Sequence, residues 1–263
     1  MFDIQGKVAI VSGGASGIGL SIVEQLLKNE AKGVTIADIN QEIGEQVAQN
    51  LINKYGTGKV IFVKVNVTLR NEFQEVFETT VKTFGNLDIL VNSAGIVKDL
   101  IWEEEIAVNL GGTITGTYYA FENYLPKYKS GAEGVIINVS SITALGVYSH
   151  APIYSATKSG VMAFSRCYGS STHYNRKQNR VMTLCPGFTD TPILRPHSER
   201  LLDKSFNKFR DESTADVIYQ TPDHVAETAI KMIREGTNGS VWVVENGKAP
   251  YEVKFLDRED CKK

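Results

Sequence analysis

Short apolar runs rich in Val and Ile recur along the chain, at residues 8–11, 34–37, 60–65, 89–91, 135–139, 181–184 and 241–244. Each is continuous rather than alternating, the pattern of a strand buried on both faces of a mostly parallel sheet. Between them apolar residues return with the helical period, over 19–29, 42–54, 70–84, 101–128, 153–174 and 222–234. In the first of these segments Ile22, Val23, Leu26 and Leu27 share one face. Right-handed crossovers leave few topologies for such an alternation. The pattern predicts a Rossmann-like, doubly wound α/β fold, a seven-stranded parallel sheet with helices on both faces. No repeat, low-complexity tract or linker interrupts it, so one domain over residues 1–263 is expected. The least regular stretch is 187–221, with Pro192, Pro196 and many charges. A loop of that size inside a compact domain is usually functional, often a lid.

Composition narrows the partners. At 263 residues the chain can bury one sizeable core, and its formal net charge of -2 gives no reason to expect nucleic acid or an anionic membrane. The Lys and Arg residues are scattered, and Arg176-Lys177 is too short to be a patch. No apolar run reaches the length of a bilayer span. The opening Met1 to Lys7 runs directly into the first strand and leaves no room for a signal peptide, so a cytoplasmic protein is expected. Cys167, Cys185 and Cys261 are odd in number and widely spaced, which predicts reduced thiols. His150, His173, His197 and His224 are far apart and no Cys or His pair has ligand spacing, so no metal site is expected. Ser141 stands outside any Gly-x-Ser-x-Gly elbow, which disfavours a serine hydrolase.

Candidate chemistry begins after the first strand. Ser12-Gly13-Gly14-Ala15-Ser16-Gly17-Ile18-Gly19 opens a helix with the spacing Gly-x-x-x-Gly-x-Gly. Such a turn lets backbone amides approach a pyrophosphate at the helix's positive end, although a glycine cluster can also be a tight turn and no more. Asp38 ends the second strand, at the distance expected for a carboxylate that accepts from adenosine ribose hydroxyls and repels a 2′-phosphate. It could instead cap the next helix. Tyr154 and Lys158 lie one helical turn apart, where a cation can bring a phenol's pKa toward the range of a general base. Alone, that spacing is common on solvated helix faces.

Taken in order, these residues resemble the short-chain dehydrogenase/reductase family over nearly the whole chain. Gly13, Gly17 and Gly19 are followed by Asp38, by Asn92-Ser93-Ala94-Gly95 after the fourth strand, and by Asn109 in Val108-Asn109-Leu110. Ser141 precedes Tyr154 by thirteen residues, Lys158 follows at the family spacing, and Pro186-Gly187 with Thr191 completes the set. Within the family the chain resembles the NAD-dependent group that contains insect alcohol dehydrogenases and 15-hydroxyprostaglandin dehydrogenases. The resemblance implies hydride transfer between an alcohol carbon and nicotinamide. Tyr154 would be general base and acid, Lys158 would lower its pKa and hold the nicotinamide ribose, and Ser141 would bind the substrate oxygen. Asn109 would anchor a water through its backbone at a local break in the helix. An NAD site is implied in roughly the first 150 residues and beyond, formed by Gly13, Ser16, Gly17, Ile18, Gly19, Asp38, Asn66, Val67, Asn92, Ala94, Gly95, Tyr154, Lys158, Pro186, Gly187, Thr189 and Thr191. Asn66 stands where an aspartate often contacts the adenine amino group, and its carbonyl oxygen could accept that bond.

Ser141, Tyr148, Tyr154, Phe188, Ile193 and Leu194 are the expected substrate contacts, with Leu201, Leu202, Phe206 and Arg195 in the same loop. The apolar character predicts a lipophilic alcohol or ketone, unless these side chains form the core of the loop. Ser155, Ala156, Ser159, Gly160, Ala163 and Ser165 give the Tyr154 helix a small-residue face. The family commonly pairs subunits through this helix and the one holding Asn109, which implies a homodimer or homotetramer, unless the face packs only on its own sheet. Two alternatives to an alcohol dehydrogenase remain, a non-catalytic NAD-binding sensor or scaffold and a physiological ketone reductase.

Overall fold

The seven Val- and Ile-rich runs all form strands: β1 (Val8–Ser12), β2 (Gly33–Asp38), β3 (Val60–Lys64), β4 (Ile89–Asn92), β5 (Gly134–Val139), β6 (Asn179–Pro186) and β7 (Val241–Val244). In this computed structural model residues 1–194, 202 and 217–262 are described. The strands pair in the order β3-β2-β1-β4-β5-β6-β7, all parallel. Every residue of β1, β4, β5 and β6 is buried, which is why these runs carry no alternation. The sheet has one strand more than the seven predicted. β8 (Tyr251–Glu252) adds antiparallel to β7, and two exposed residues are too short to carry a strand period.

Helices cover both faces. On one lie α1 (Gly17–Lys28) and α2 (Gln41–Tyr55), joined by α9 (Pro222–Glu235), where Ile22, Val23 and Leu26 meet Val225, Ala229 and Ile233. On the other lies α3 (Arg70–Phe84), whose Phe73 and Phe77 pack with Phe121 and Leu125. The helix predicted over 101–128 is interrupted. It runs as α4 (Trp102–Ile106), a π-helical turn (Ala107–Gly112), α5 (Thr113–Tyr118), a second π-helical turn (Tyr119–Tyr124) and α6 (Leu125–Tyr128). The helix predicted over 153–174 is also two, α7 (Pro152–Tyr168) and α8 (Ser171–Lys177). They part where Asn238 Nδ2 takes the carbonyls of Gly169 and Ser170, at 2.7 and 3.4 Å.

Strand order reverses beside β1, whose neighbours are β2 and β4. In a doubly wound sheet that reversal opens a crevice at the carboxyl ends of the strands. Behind it a polar ladder ties α5 and α7 to the sheet. Asn138 Oδ1 accepts from Asn92 Nδ2 (2.8 Å) and Thr117 Oγ1 (3.1 Å), and Asn138 Nδ2 donates to Ser165 Oγ (2.8 Å). All four residues are buried. Replacing Asn138→Ala removes three buried hydrogen bonds at once and leaves Asn92 bonded to Thr117 and Ser165 to Val161. It should lower the unfolding free energy by about 2–4 kcal/mol in denaturant titrations.

Candidate active site

Around that crevice a cavity of about 690 Å³ gathers most of the residues singled out above. Its walls include Gly13, Ser16, Gly17, Ile18 and Gly19 from the turn after β1, Asp38 at the end of β2, Asn66 and Val67 after β3, and Ala94 and Gly95 after β4. Ser141, Tyr148, Tyr154 and Lys158 come from the β5 side, and Pro186, Gly187, Phe188, Thr189, Thr191, Ile193 and Leu194 from the segment after β6. Each group sits at a strand's carboxyl end because parallel strands present those ends on one edge of the sheet.

The half of the cavity beside β1 and β2 offers groups that could receive an anion and a ribose. Helix α1 begins at Gly17, which holds φ +52, a conformation that favours glycine. Its N-cap Ser16 makes no side-chain cap bond, and no acidic residue stands in the first turn. The positive end of the helix therefore faces the cavity uncompensated, a site for phosphate oxygens. Asp38 is fixed by two backbone amides, Ala15 N on Oδ2 (3.1 Å) and Asn40 N on Oδ1 (3.0 Å). It does not cap α2; Asn40 does, accepting from Ile43 N at 3.1 Å. Its carboxylate remains at the cavity wall, able to accept from vicinal hydroxyls. These features fit a dinucleotide with an unphosphorylated ribose.

Three expected contacts take other forms. Asn66 lines the cavity, yet its Oδ1 already accepts from Thr68 N (3.1 Å) and Thr68 Oγ1 (2.8 Å). An adenine amino group could bond that oxygen only by displacing the turn. Asn92 does not line the cavity; it is buried in the polar ladder under β4. Asn109 also stands behind the wall, in the first π-helical turn. Its Oδ1 accepts from Ile96 N (2.8 Å), its Nδ2 donates to Ile96 O (2.9 Å) and Thr157 Oγ1 (3.2 Å), and its backbone carbonyl accepts from Thr113 Oγ1 (2.8 Å).

The chemical half centres on α7. Lys158 is 4 % exposed, its Nζ donates to Val139 O at 3.1 Å, and that nitrogen lies 5.5 Å from the centre of the Tyr154 ring. Gly95 gives both polar groups room: a Cβ there would stand 3.2 Å from Asn109 Oδ1 and 3.4 Å from Lys158 Nζ. Burial pushes the Lys158 ammonium down to about 8. The spacing predicts a phenol brought down by its lysine. Burial instead pushes Tyr154 above the ordinary phenol value, and the group that pulls it back is Ser141, through a hydrogen bond. Ser141 Oγ is itself held by Thr143 N at 3.1 Å.

Two positioning features escape a reading of periodicity. The N-cap of α7 is Ala151, which has no capping side chain, and the carboxylate of buried Asp99 takes its place, accepting from Ile153 N (2.9 Å) and Tyr154 N (3.2 Å). Gln220 clasps the segment after β6. It donates from its backbone to Phe188 O (3.0 Å), accepts there from Asp190 N (2.9 Å), and sends its side chain to Val244 O at 2.8 Å. Of the expected substrate loop, Arg195, Leu201 and Phe206 lie outside the described residues, and Leu202 is 44 % exposed.

The chain is similar to known proteins over nearly its whole length. The family model for short chain dehydrogenase matches residues 7–201. The chain is 32% identical over 249 residues to a 15-hydroxyprostaglandin dehydrogenase of Mus musculus, whose name specifies NAD(+), covering 93% of this chain and 92% of that protein. It is 30% identical over 263 residues to 3beta-hydroxysteroid dehydrogenase 2 of Eggerthella lenta, with 94% and 96% covered. To Alcohol dehydrogenase 2 of Ceratitis cosyra it is 28% identical over 244 residues, with 93% of each chain covered.

The burial of Lys158 has a measurable consequence. Its charged form is disfavoured in the folded chain, so the protein carries a penalty below pH about 8 that fades as pH rises toward the ordinary value of 10.5. Lys158→Met should therefore raise stability near neutral pH by about 1–2 kcal/mol, less than the full shift because Val139 O loses its donor. Denaturation at a series of pH values should show that gain shrinking between pH about 8 and 10.5.

Proposed function

The chain belongs to the short chain dehydrogenase family, and on that premise we propose that it is an NAD(H)-dependent oxidoreductase acting on a lipophilic primary or secondary alcohol, or the matching aldehyde or ketone. The observation that carries this reading is the convergence in one cavity of the uncapped α1 terminus, Asp38, Ser141, Tyr154 and Lys158. NAD, when bound, would supply the hydride acceptor and, in its oxidised form, a positive charge.

The chain's own groups handle position and proton. Ser141, near enough to the Tyr154 hydroxyl to favour its ionised form, would share with it the place of the substrate oxygen. Tyr154 takes the alcohol proton in oxidation and returns it in reduction. Because burial alone holds the phenol neutral, ionisation must draw on positive charge brought beside it, from the cofactor and from protonated Lys158. Lys158 would also hold the nicotinamide ribose hydroxyls. Asp38 accepts from the adenosine ribose and selects against a 2′-phosphate.

The walls beyond Tyr154 are Tyr148, Phe188, Ile193, Leu194 and Tyr219, which favour an apolar body on the alcohol. Trp102, Ile106, Ile114 and Tyr118 are all exposed on the helical run from α4 to α5, and a homodimer or homotetramer would cover them. Among the described residues no helix is long and apolar enough to cross a membrane.

NADH formation across a panel of alcohols tests the reading. Tyr154→Phe should lower turnover by about 10²–10⁴-fold, and equal turnover in the two proteins would sink the proton role. Asp38→Ala should cut kcat/KM for NAD by about 10–100-fold while raising the relative use of NADP. Unchanged cofactor preference would remove Asp38 from the site.

A further inference from the structure

Two acids are fully buried behind Tyr154 and Lys158, Asp99 in the 3-10 turn Asp99–Ile101 and Glu105 in α4. Both oxygens of Asp99 are committed to the first turn of α7, through the amides of Ile153 and Tyr154. Glu105 accepts from Lys98 N on Oε1 at 3.1 Å. Its Oε2 is buried and receives no donor, yet its side chain lies within hydrogen-bond reach of Asp99. Were both acids ionised, an unsatisfied carboxylate oxygen would face a second carboxylate away from water, a doubly costly arrangement. A proton on Oε2 converts the clash into a bond.

We infer that Glu105 is a neutral carboxylic acid whose Oε2 donates to the Asp99 carboxylate, and that it is a positioning residue for Tyr154, holding Asp99 on the amino end of the helix that carries the phenol. The pair then bears one negative charge, placed against the positive end of α7. The groups facing Glu105 are consistent with this. Asp99 approaches from the 3-10 turn, and Lys158 and Tyr154 from α7. Lys98 turns its ammonium outward to Glu104, 3.7 Å away, and Lys158 Nζ bonds Val139 O. Burial, reinforced by the charge of Asp99, pushes the Glu105 carboxyl up to about 8 against the opposing pull of Lys98 N and Lys158. Above that pH a second negative charge stands beside Tyr154 and loosens the grip of Asp99 on its amide.

Three measurements on the full chain test this without using turnover, so they stand or fall apart from the oxidoreductase reading. Infrared spectra of the wild type should contain a protonated carboxyl band that titrates away near pH 8 and is absent from Glu105→Gln. The wild type loses stability as pH rises from 4.5 to about 8, because its folded carboxyl resists ionisation, whereas the glutamine does not titrate. The melting temperature of Glu105→Gln minus that of the wild type should widen by roughly 10 °C across that window and then level off. Amide exchange at Ile153 and Tyr154 should quicken about tenfold or more in Glu105→Ala and return to the wild-type rate in Glu105→Gln. The absence of a carboxyl band titrating near pH 8 in the wild type overturns the protonated state even if a variant does not fold, and a constant melting difference overturns it as well. Equal amide protection in Glu105→Ala and the wild type overturns the positioning role.

Discussion

Burial of one amino group, Lys158, is the constraint around which this end of the molecule is arranged. An ammonium 4 % exposed has lost nearly all its water, and the surrounding chain must replace it. Val139 supplies a carbonyl from the end of β5, and Gly95 withholds a side chain that would otherwise crowd the nitrogen. The lysine's own carbonyl accepts from Ser140 Oγ at 2.8 Å, which fastens α7 to the strand that supplies the donor. Below this level the amides of Asn92 and Asn138 join both helices to the sheet. In a medium of low dielectric such a network is stabilising only when its members are satisfied together, so helix, strand and lysine form one unit.

Much of that unit is legible in the chain. β4, β5 and β6 are buried on both faces, and an unbroken apolar run records this directly. Residues 101–128 look like one helix because the two π-helical turns continue the helical backbone without a break in the chain's direction that a local window would register. The interruption at Gly169 depends on Asn238, sixty-nine residues away, and no local window contains that contact. β8 pairs through two residues after a turn, below the length at which alternation means anything.

The site divides in the same way. Gly17, Asp38, Ser141, Tyr154 and Lys158 can be recognised by spacing because each sits at a fixed offset from a strand end, and parallel strands bring those ends together. Residues that act through other residues leave no such mark. Asp99 caps a helix from fifty-four positions upstream, and Gln220 reaches β7 and the segment after β6 from just before α9. Asn66 shows the opposite case, where a position matched by order carries a side chain already committed to its neighbour Thr68. The direction of the Tyr154 shift was equally out of reach, since spacing reports that a cation is near but not how dry the phenol is.

These two kinds of residue imply a division of labour. The cofactor half is set by strand ends, which the sheet's hydrogen bonds hold rigidly, so the chemistry of Asp38 and the α1 terminus decides what binds there. Among the described residues of the connection between β6 and α9, the Gln220 clasp, the parallel bridge of Thr189 with Gln220 and the bond from Gly187 N to Val244 O (2.8 Å) anchor the far wall to the sheet. Tyr154 stands at the boundary, fixed from behind by Asp99 and open in front to whatever that connection admits. Under the proposed function, the same helix would serve different alcohols, with selectivity set at the apolar walls, where one methylene changes binding by only about 1–3 kcal/mol.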